Sequence, residues 1–279
     1  MKKVLIIALA ILPVLFACKK SGSTTTDTTL ETPKFAKEAA KVVIQNPISV
    51  TAKGGQTVAI SAINFMRSGR YVATGTVTKA TETIVLTGTY TMNNGSYSMT
   101  GDVTATVTIT TSGSEDSVTV NGETSPADVT ESNIQEGSTQ DKICRTWKLD
   151  HMILDFAKLG GKARYDTMAE IVADIKAHEI TLTAENEQKI KDHEIKEITL
   201  DDGVICVTFV NAEAFSGSWN LSGNSFSYSI ENFEGSLFSG QASGTIDFSG
   251  EKAIISVSLT TSIESLGNGT AELTLVQVK

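Results

Sequence analysis

Six side chains in this sequence could act as metal ligands or nucleophiles, three histidines and three cysteines. His178-Glu179 and His193-Glu194 begin as the helix of a zinc hydrolase begins. They continue as Ile-Thr-Leu and Ile-Lys-Glu, so neither has the second histidine, four residues on, that would face the same metal. Their spacing places them near helix ends, where a partly charged imidazole meets the carbonyl dipole. His151 has no ligand partner in sequence. No Gly-x-Ser-x-Gly elbow occurs, and no Ser-His-Asp set can be assembled. Gly160-Gly161-Lys162 lacks the upstream glycine and the following hydroxyl of a phosphate loop and reads as a turn. Asp201-Asp202-Gly203 falls short of the alternating acids of a calcium loop and reads as a hairpin turn. Neither a metal nor a cofactor is expected, and the chain reads as a non-enzyme.

Cys144 and Cys206 each sit in an apolar stretch, Ile143-Cys-Arg-Thr-Trp147 and Val204-Ile-Cys-Val-Thr-Phe209. Two readings stay open: a disulfide, worth about 4 kcal/mol for a loop of this length on the chain-entropy model, or two buried thiols packing as small hydrophobes. Cys18 is different. It follows Met1-Lys-Lys, an apolar run from Val4 to Phe16 and a small residue, Ala17. That run is too short to span a bilayer as a helix, and the order of parts is that of a secretory signal. Leu15-Phe16-Ala17-Cys18 resembles the lipobox of bacterial lipoproteins, which implies diacylation of Cys18, palmitate among its acyl chains, and removal of the leader. From Lys19 to Thr32 the chain is Ser, Thr, Gly and charge, with too little apolar surface to fold, and reads as a tether. Lys19 stands where other lipoproteins carry an inner-membrane retention aspartate, and the resemblance implies the outer membrane. No acidic export cluster follows, which favours its periplasmic face.

The formal charge of the 279-residue chain is −9. Loss of the leader removes Lys2 and Lys3 and takes it to −11. Such a body repels phosphate backbones and anionic lipid, and no Lys/Arg cluster is interleaved with aromatics, so nucleic acid is not an expected partner. Membrane contact is expected through the acyl anchor alone.

The elements that must position any site are mostly strands. From Val42 to Val120, Thr, Ser, Val, Ile and Tyr alternate between Gly and Asn turns, and Asn94-Gly95 is a strong hairpin signal. Phe35, Ala39, Val42 and Val43 have helical spacing over Pro33–Gln45, with Asn46-Pro47 as the stop. A hairpin is expected at Ser117–Val120, and Thr124–Asp141 reads as a linker. After a strand over Ile143–Leu154, the period changes: Tyr165, Met168, Val172 and Ile175 predict a helix with Thr167 and Glu170 as its capping box, and Thr183 caps a second. Seven further strands follow, from Glu194 to Val278, giving eight around a two-helix insertion.

One segment of each half matches the other without a gap, Gly88–Met99 over Gly217–Tyr228. Large side chains face one another at Tyr90/Trp219, Met92/Leu221, Tyr97/Phe226 and Met99/Tyr228. This is either an internal repeat or two amphipathic hairpins that converged. Trp147 near a strand start, the Gly217-Ser-Trp219 to Phe226-Ser-Tyr228 hairpin and the late Gly244–Phe248 strand resemble the lipocalin-like domains carried by lipoproteins of Gram-negative bacteria. The resemblance covers about residues 140–279 and implies an eight-stranded barrel whose helices act as a lid over a small apolar or amphipathic ligand. Arg145-Thr-Trp147 departs from the usual Gly-x-Trp, and Arg145 is expected to cap the barrel end. No Arg-x-Tyr pair stands in the last strands to hold a carboxylate.

The expectation is therefore mainly β, with two antiparallel domains in tandem: leader 1–17, lipidated Cys18 and tether 18–34, β domain 35–123, linker 124–141, and lipocalin-like barrel 142–279. Trp147, Trp219, Phe226 and Tyr228 are the candidate cavity lining, with core packing as the default reading of the same residues. The expected function is that of a cell-envelope lipoprotein binding a small apolar ligand, with contact to an envelope protein or glycan as the alternative.

Overall fold

The computed structural model describes residues 30–80, 82–113, 115–230, 240–260 and 266–279. The leader, Cys18 and most of the tether lie outside them. The chain is mainly β, two eight-stranded antiparallel barrels in tandem. The first runs β1 (Ala40–Thr51), β2 (Thr57–Phe65), β3 (Arg70–Val77), β4 (Thr83–Asn93), β5 (Ser96–Gly101), β6 (Ala105–Thr110), β7 (Ser117–Val120) and β8 (Glu123–Glu131), each paired with the next. β8 closes it on β1. The second runs β9 (Thr146–Phe156), β11 (Ile195–Asp201), β12 (Val204–Phe209), β13 (Phe215–Ser222), β14 (Ser225–Ser229), β15 (Gln241–Ser249), β16 (Lys252–Thr260) and β17 (Asn268–Gln277), which closes on β9.

Between β9 and β11 lie β10 (Gly161–Tyr165), α2 (Met168–Ala177) and α3 (Ala184–Asp192), and the short α1 (Thr139–Ile143) precedes β9. Both insertion helices follow their caps. Thr167 and Glu170 form a complete capping box, and the Thr183 side chain accepts from the Asn186 amide. His178 and His193 are the C-caps of these helices. α2 buries Met168, Ile171, Val172 and Ile175 in the second barrel's core, whereas α3 buries only Ile190.

Three expectations are corrected. Pro33–Gln45 is not a helix: a turn over residues 34–38 leads into β1, where Ala40, Val42 and Ile44 are buried and Lys41 and Val43 exposed. The period is two. Asn46-Pro47 does not stop the element either, because the register with β2 shifts between Val43 and Ile48 and accommodates the proline, which has no amide to give a ladder. The 124–141 linker shortens to the stretch between β8 and α1. β8 was illegible because its inward side chains are Ser125 and Ala127, small enough to fit the closing seam and too small to register as a strand pattern. Finally, Gly160-Gly161-Lys162 is a turn that opens a strand: Gly160 has φ 78° and β10 then pairs with the second half of β9.

The repeat occupies equivalent places. Gly88–Met99 is the hairpin of the fourth and fifth strands of the first barrel, and Gly217–Tyr228 that of the fourth and fifth of the second. Tyr90 pairs with Met99 and Met92 with Tyr97; likewise Trp219 with Tyr228 and Leu221 with Phe226. The glycines at the head of each copy are under the same constraint. A Cβ on Gly88 would meet the Thr100 carbonyl oxygen at 2.3 Å, and one on Gly217 the Ser229 carbonyl oxygen at 2.1 Å, at the same offset along the chain. Shared strand position and shared close approach favour repetition over convergence.

Candidate functional site

The four expected lining residues divide. Trp147 is fully buried, and its indole N–H donates to the Ile143 carbonyl at 2.8 Å, tying α1 to the start of β9. Trp219 stacks on Phe226 with ring centroids 6.0 Å apart. Both tryptophans are packing. Phe226 and Tyr228 do line a cavity, together with Ile198, Val207, Ile255 and Leu273 among others. Its free volume is only ≈ 60 Å³, against roughly 300–1,000 Å³ for sites that enclose a small molecule. Met152, Leu154, Phe156, Leu200 and Leu275 fill the rest of that barrel. Burial pushes the Tyr228 hydroxyl up to about 12, so it stays protonated there.

The larger recesses lie between the barrels. The outward positions of the β11–β12 hairpin, Thr199, Asp201, Cys206 and Thr208, face the first barrel, where Arg67, Arg70 and Val72 meet them. Met66, Val72 and Cys206 form a small apolar patch at this contact. On one side of it is a cleft of ≈ 480 Å³, lined from the first barrel by Lys53, Gln56, Arg70, Thr87 and Asp102, and from the second by Lys196, Glu197, Thr199, Thr208 and Glu213. Arg70 and Glu197 bridge it at 2.7 Å. The Asp102 carboxylate accepts from the Thr87 amide at 2.8 Å and hydroxyl at 3.1 Å. On the other side is a crevice of ≈ 330 Å³ lined by Lys41, Asn64, Met66, Ser132, Asp201 and Asp202.

A buried ionic group holds the contact. Arg67, in the turn after β2, pairs with Asp141 of α1 at 2.8 Å; both are buried. Arg145, 4 % exposed, donates to the Asp141 and Cys144 carbonyls and lies 3.7 Å from the Asp141 carboxylate. The expected cap is thus an interface residue, and desolvation lowers its pKa. The backbone amide of Arg67 donates to Asp201. The sequence did not single out Arg67, placed Asp141 at the end of the expected linker and read Asp201 as part of a hairpin turn. Tyr71-Val-Ala73 and Ile198–Asp201 are buried without a break, as strands covered on both faces are, but Ile-Thr-Leu-Asp carries no unbroken apolar run that would have marked this in the sequence.

Cys144 and Cys206 are free thiols. Cys144 packs in the second barrel's core cluster and Cys206 in the inter-barrel patch. Burial pushes the Cys206 thiol up to about 12 and raises that of Cys144 further, which leaves neither as a thiolate nucleophile. The histidines are held by their own helices or neighbours: His178 Nδ1 lies 3.0 Å from the Asp174 carbonyl, His193 Nδ1 2.7 Å from that of Lys189, and His151 Nδ1 3.0 Å from Asp150. Among the described residues no three His, Cys, Asp or Glu side chains are grouped to hold a metal, and no helix is long and apolar enough to cross a membrane.

No protein-family model and no curated protein matches the chain. Among solved structures, it is similar to a protein of unknown function of the DUF3598 family from Nostoc punctiforme, at 8% identity over 87% of this chain and 94% of that one, with a TM-score of 0.26. A dehydratase domain from the CurJ module of the curacin polyketide synthase is 13% identical over 88% of this chain and 77% of that one, with a TM-score of 0.12. At such scores whole folds do not superpose.

Proposed function

We propose that this chain is a lipid-anchored protein of the cell envelope, without catalytic activity, that works by holding a polar, hydroxyl-rich chain such as an envelope glycan in the cleft between its barrels. The observation that carries this reading is capacity: ≈ 480 Å³ between the barrels against ≈ 60 Å³ inside the second. The lining sets the ligand class. Gln56, Thr87, Thr199 and Thr208 offer amide and hydroxyl groups, and Lys53, Lys196 and Glu213 add charges of both signs. An apolar occupant would strip water from these groups and return nothing, at roughly 1–3 kcal/mol for each one left unpaired. A polyol both donates and accepts at every hydroxyl and fits a mixed lining. The anchor at Cys18 and the outer membrane's periplasmic face belong to the same proposal, and they keep the cleft within a tether's reach of the envelope.

A small apolar ligand is the second reading, favoured by the apolar side chains around Phe226 and Tyr228. The present volume admits only a few carbon atoms, so that ligand would require the barrel to expand. Isothermal titration of the soluble body with peptidoglycan fragments, and separately with a medium-chain fatty acid, distinguishes the two. Heat with the glycan alone, lost in Thr199→Val/Thr208→Val, supports the cleft; heat with the fatty acid alone, lost in Tyr228→Ala, supports the barrel.

A further inference from the structure

At the contact between the barrels, three buried polar atoms face one crevice with no hydrogen bond made: two carbonyl-type oxygens and a serine hydroxyl. Asn64 Oδ1, Ser132 Oγ and Asp201 Oδ1 have no hydrogen-bond partner among the described residues, and all three residues line the ≈ 330 Å³ crevice. Asp201 is the most enclosed, 5 % exposed at the end of β11. Its Oδ2 already accepts the Arg67 amide, while Oδ1 is left over.

The charges around it do not complete it. From the turn after β2, the Arg67 guanidinium puts one amino group on Asp141 at 2.8 Å and leaves its Nε unpartnered, and its charge partly offsets the effect of burial on Asp201. From α1 come Asp141, whose other oxygen accepts the Gly137 amide, and the C-cap Cys144, whose thiol donates to the Asp201 carboxyl and opposes the effect of burial. Arg145, preceding β9, is turned onto carbonyls. Asp202, next in its own turn, repels it. Tyr90 of the first barrel spends its hydroxyl on the Met66 carbonyl at 2.9 Å, and Lys41 stands across the crevice. One proton on Asp201 Oδ1 would let this carboxyl donate into the crevice that Asn64 Oδ1 and Ser132 Oγ also line.

We propose that Asp201 is a proton-dependent latch between the two barrels, closed when its carboxyl is protonated and loosened when it ionises. Burial pushes this carboxyl up from 3.8 to about 7 in the docked state. With the barrels apart, the group would be on an open strand face with an ordinary value. The docked pKa is the higher, so the latch's contribution is full below about pH 4 and is lost as pH rises through 7. A difference of that size lowers the docking constant roughly tenfold from pH 6 to pH 8. The inference concerns the contact itself and does not depend on what the cleft holds.

Hydrogen exchange on the full soluble chain at pH 6 and pH 8, corrected for the intrinsic rate, tests it at the Arg67 amide that Asp201 receives. Protection over residues 65–70 is expected to fall roughly tenfold from pH 6 to pH 8, while that of β16 and β17 stays constant. Asp201→Asn should abolish the fall, and Asp202→Asn should keep it. Equal protection of residues 65–70 at both pH values in the wild type overturns the latch, a comparison that stands even if Asp201→Asn does not fold. An undiminished fall in Asp201→Asn overturns it as well.

Discussion

Among the described residues two ion pairs cross between the barrels, and their surroundings predict very different costs for breaking them. Arg67 and Asp141 meet at 2.8 Å with side chains 4% and 9% exposed, whereas Arg70 and Glu197 meet at 2.7 Å with side chains 30% and 14% exposed. Arg67→Ala leaves the Asp141 carboxylate buried with Arg145 at 3.7 Å and the Gly137 amide as its compensation. Removing one partner of a buried pair costs about 3–5 kcal/mol. Water can enter from the adjacent crevice to hydrate what remains, which puts the expectation at the lower end, about 3 kcal/mol. For a body of this size that is a fall of about 6–12 °C in Tm. Arg70→Ala, at the wet cleft, is expected to cost at most about 1 kcal/mol. Replacing both members of the buried pair, Arg67→Met with Asp141→Leu, removes the unpaired charge and should recover most of the loss. Thermal unfolding followed by circular dichroism at pH 7 reads all four proteins. The reasoning is refuted if Arg67→Ala costs no more than Arg70→Ala, or if the double variant is as unstable as Arg67→Ala.

The repeated glycines give a second expectation. Gly88→Ala and Gly217→Ala should each destabilise by about 1–3 kcal/mol through overpacking, measured by urea unfolding, while Gly95→Ala acts only through its φ of 80° because nothing stands near its Cβ. Both body cysteines should resist alkylation in native protein and react fully in denaturant, without prior reduction; a 2-Da mass difference on reduction would contradict the free thiols. Cys18→Ser should abolish incorporation of a clickable fatty acid in cells and release the body from the membrane fraction, and retention there would remove the anchor from the account.

The second barrel's eight strands and the two insertion helices were legible because their signals are local: the Thr167/Glu170 box and the alternation along β12 to β17 each need only neighbours in sequence, as does the Asn94-Gly95 turn of the first barrel. β1 was mistaken because Phe35, Ala39, Val42 and Val43 imitate a helical stripe while the alternation that decides the matter continues past Pro47. β8 was missed because Ser125 and Ala127 are shaped by the barrel they close. The site was illegible for a related reason. Arg67, Asp141, Arg145 and Asp201 are unremarkable charges until the two barrels meet, and no local pattern says which outward face of a strand another domain will take. The aromatic hairpin drew attention to the second barrel's interior, yet the stacking of Trp219 on Phe226 that made it conspicuous helps to fill that interior.

Mapping glycan contacts by amide chemical shift on the soluble body, with peptidoglycan fragments as titrant, tests the central proposal most directly. The account predicts saturable shifts at Lys53, Arg70, Lys196, Glu197 and Thr208, on both walls of the cleft, and none around Phe226 and Tyr228. Shifts confined to the second barrel's interior, or none with any fragment, would contradict it.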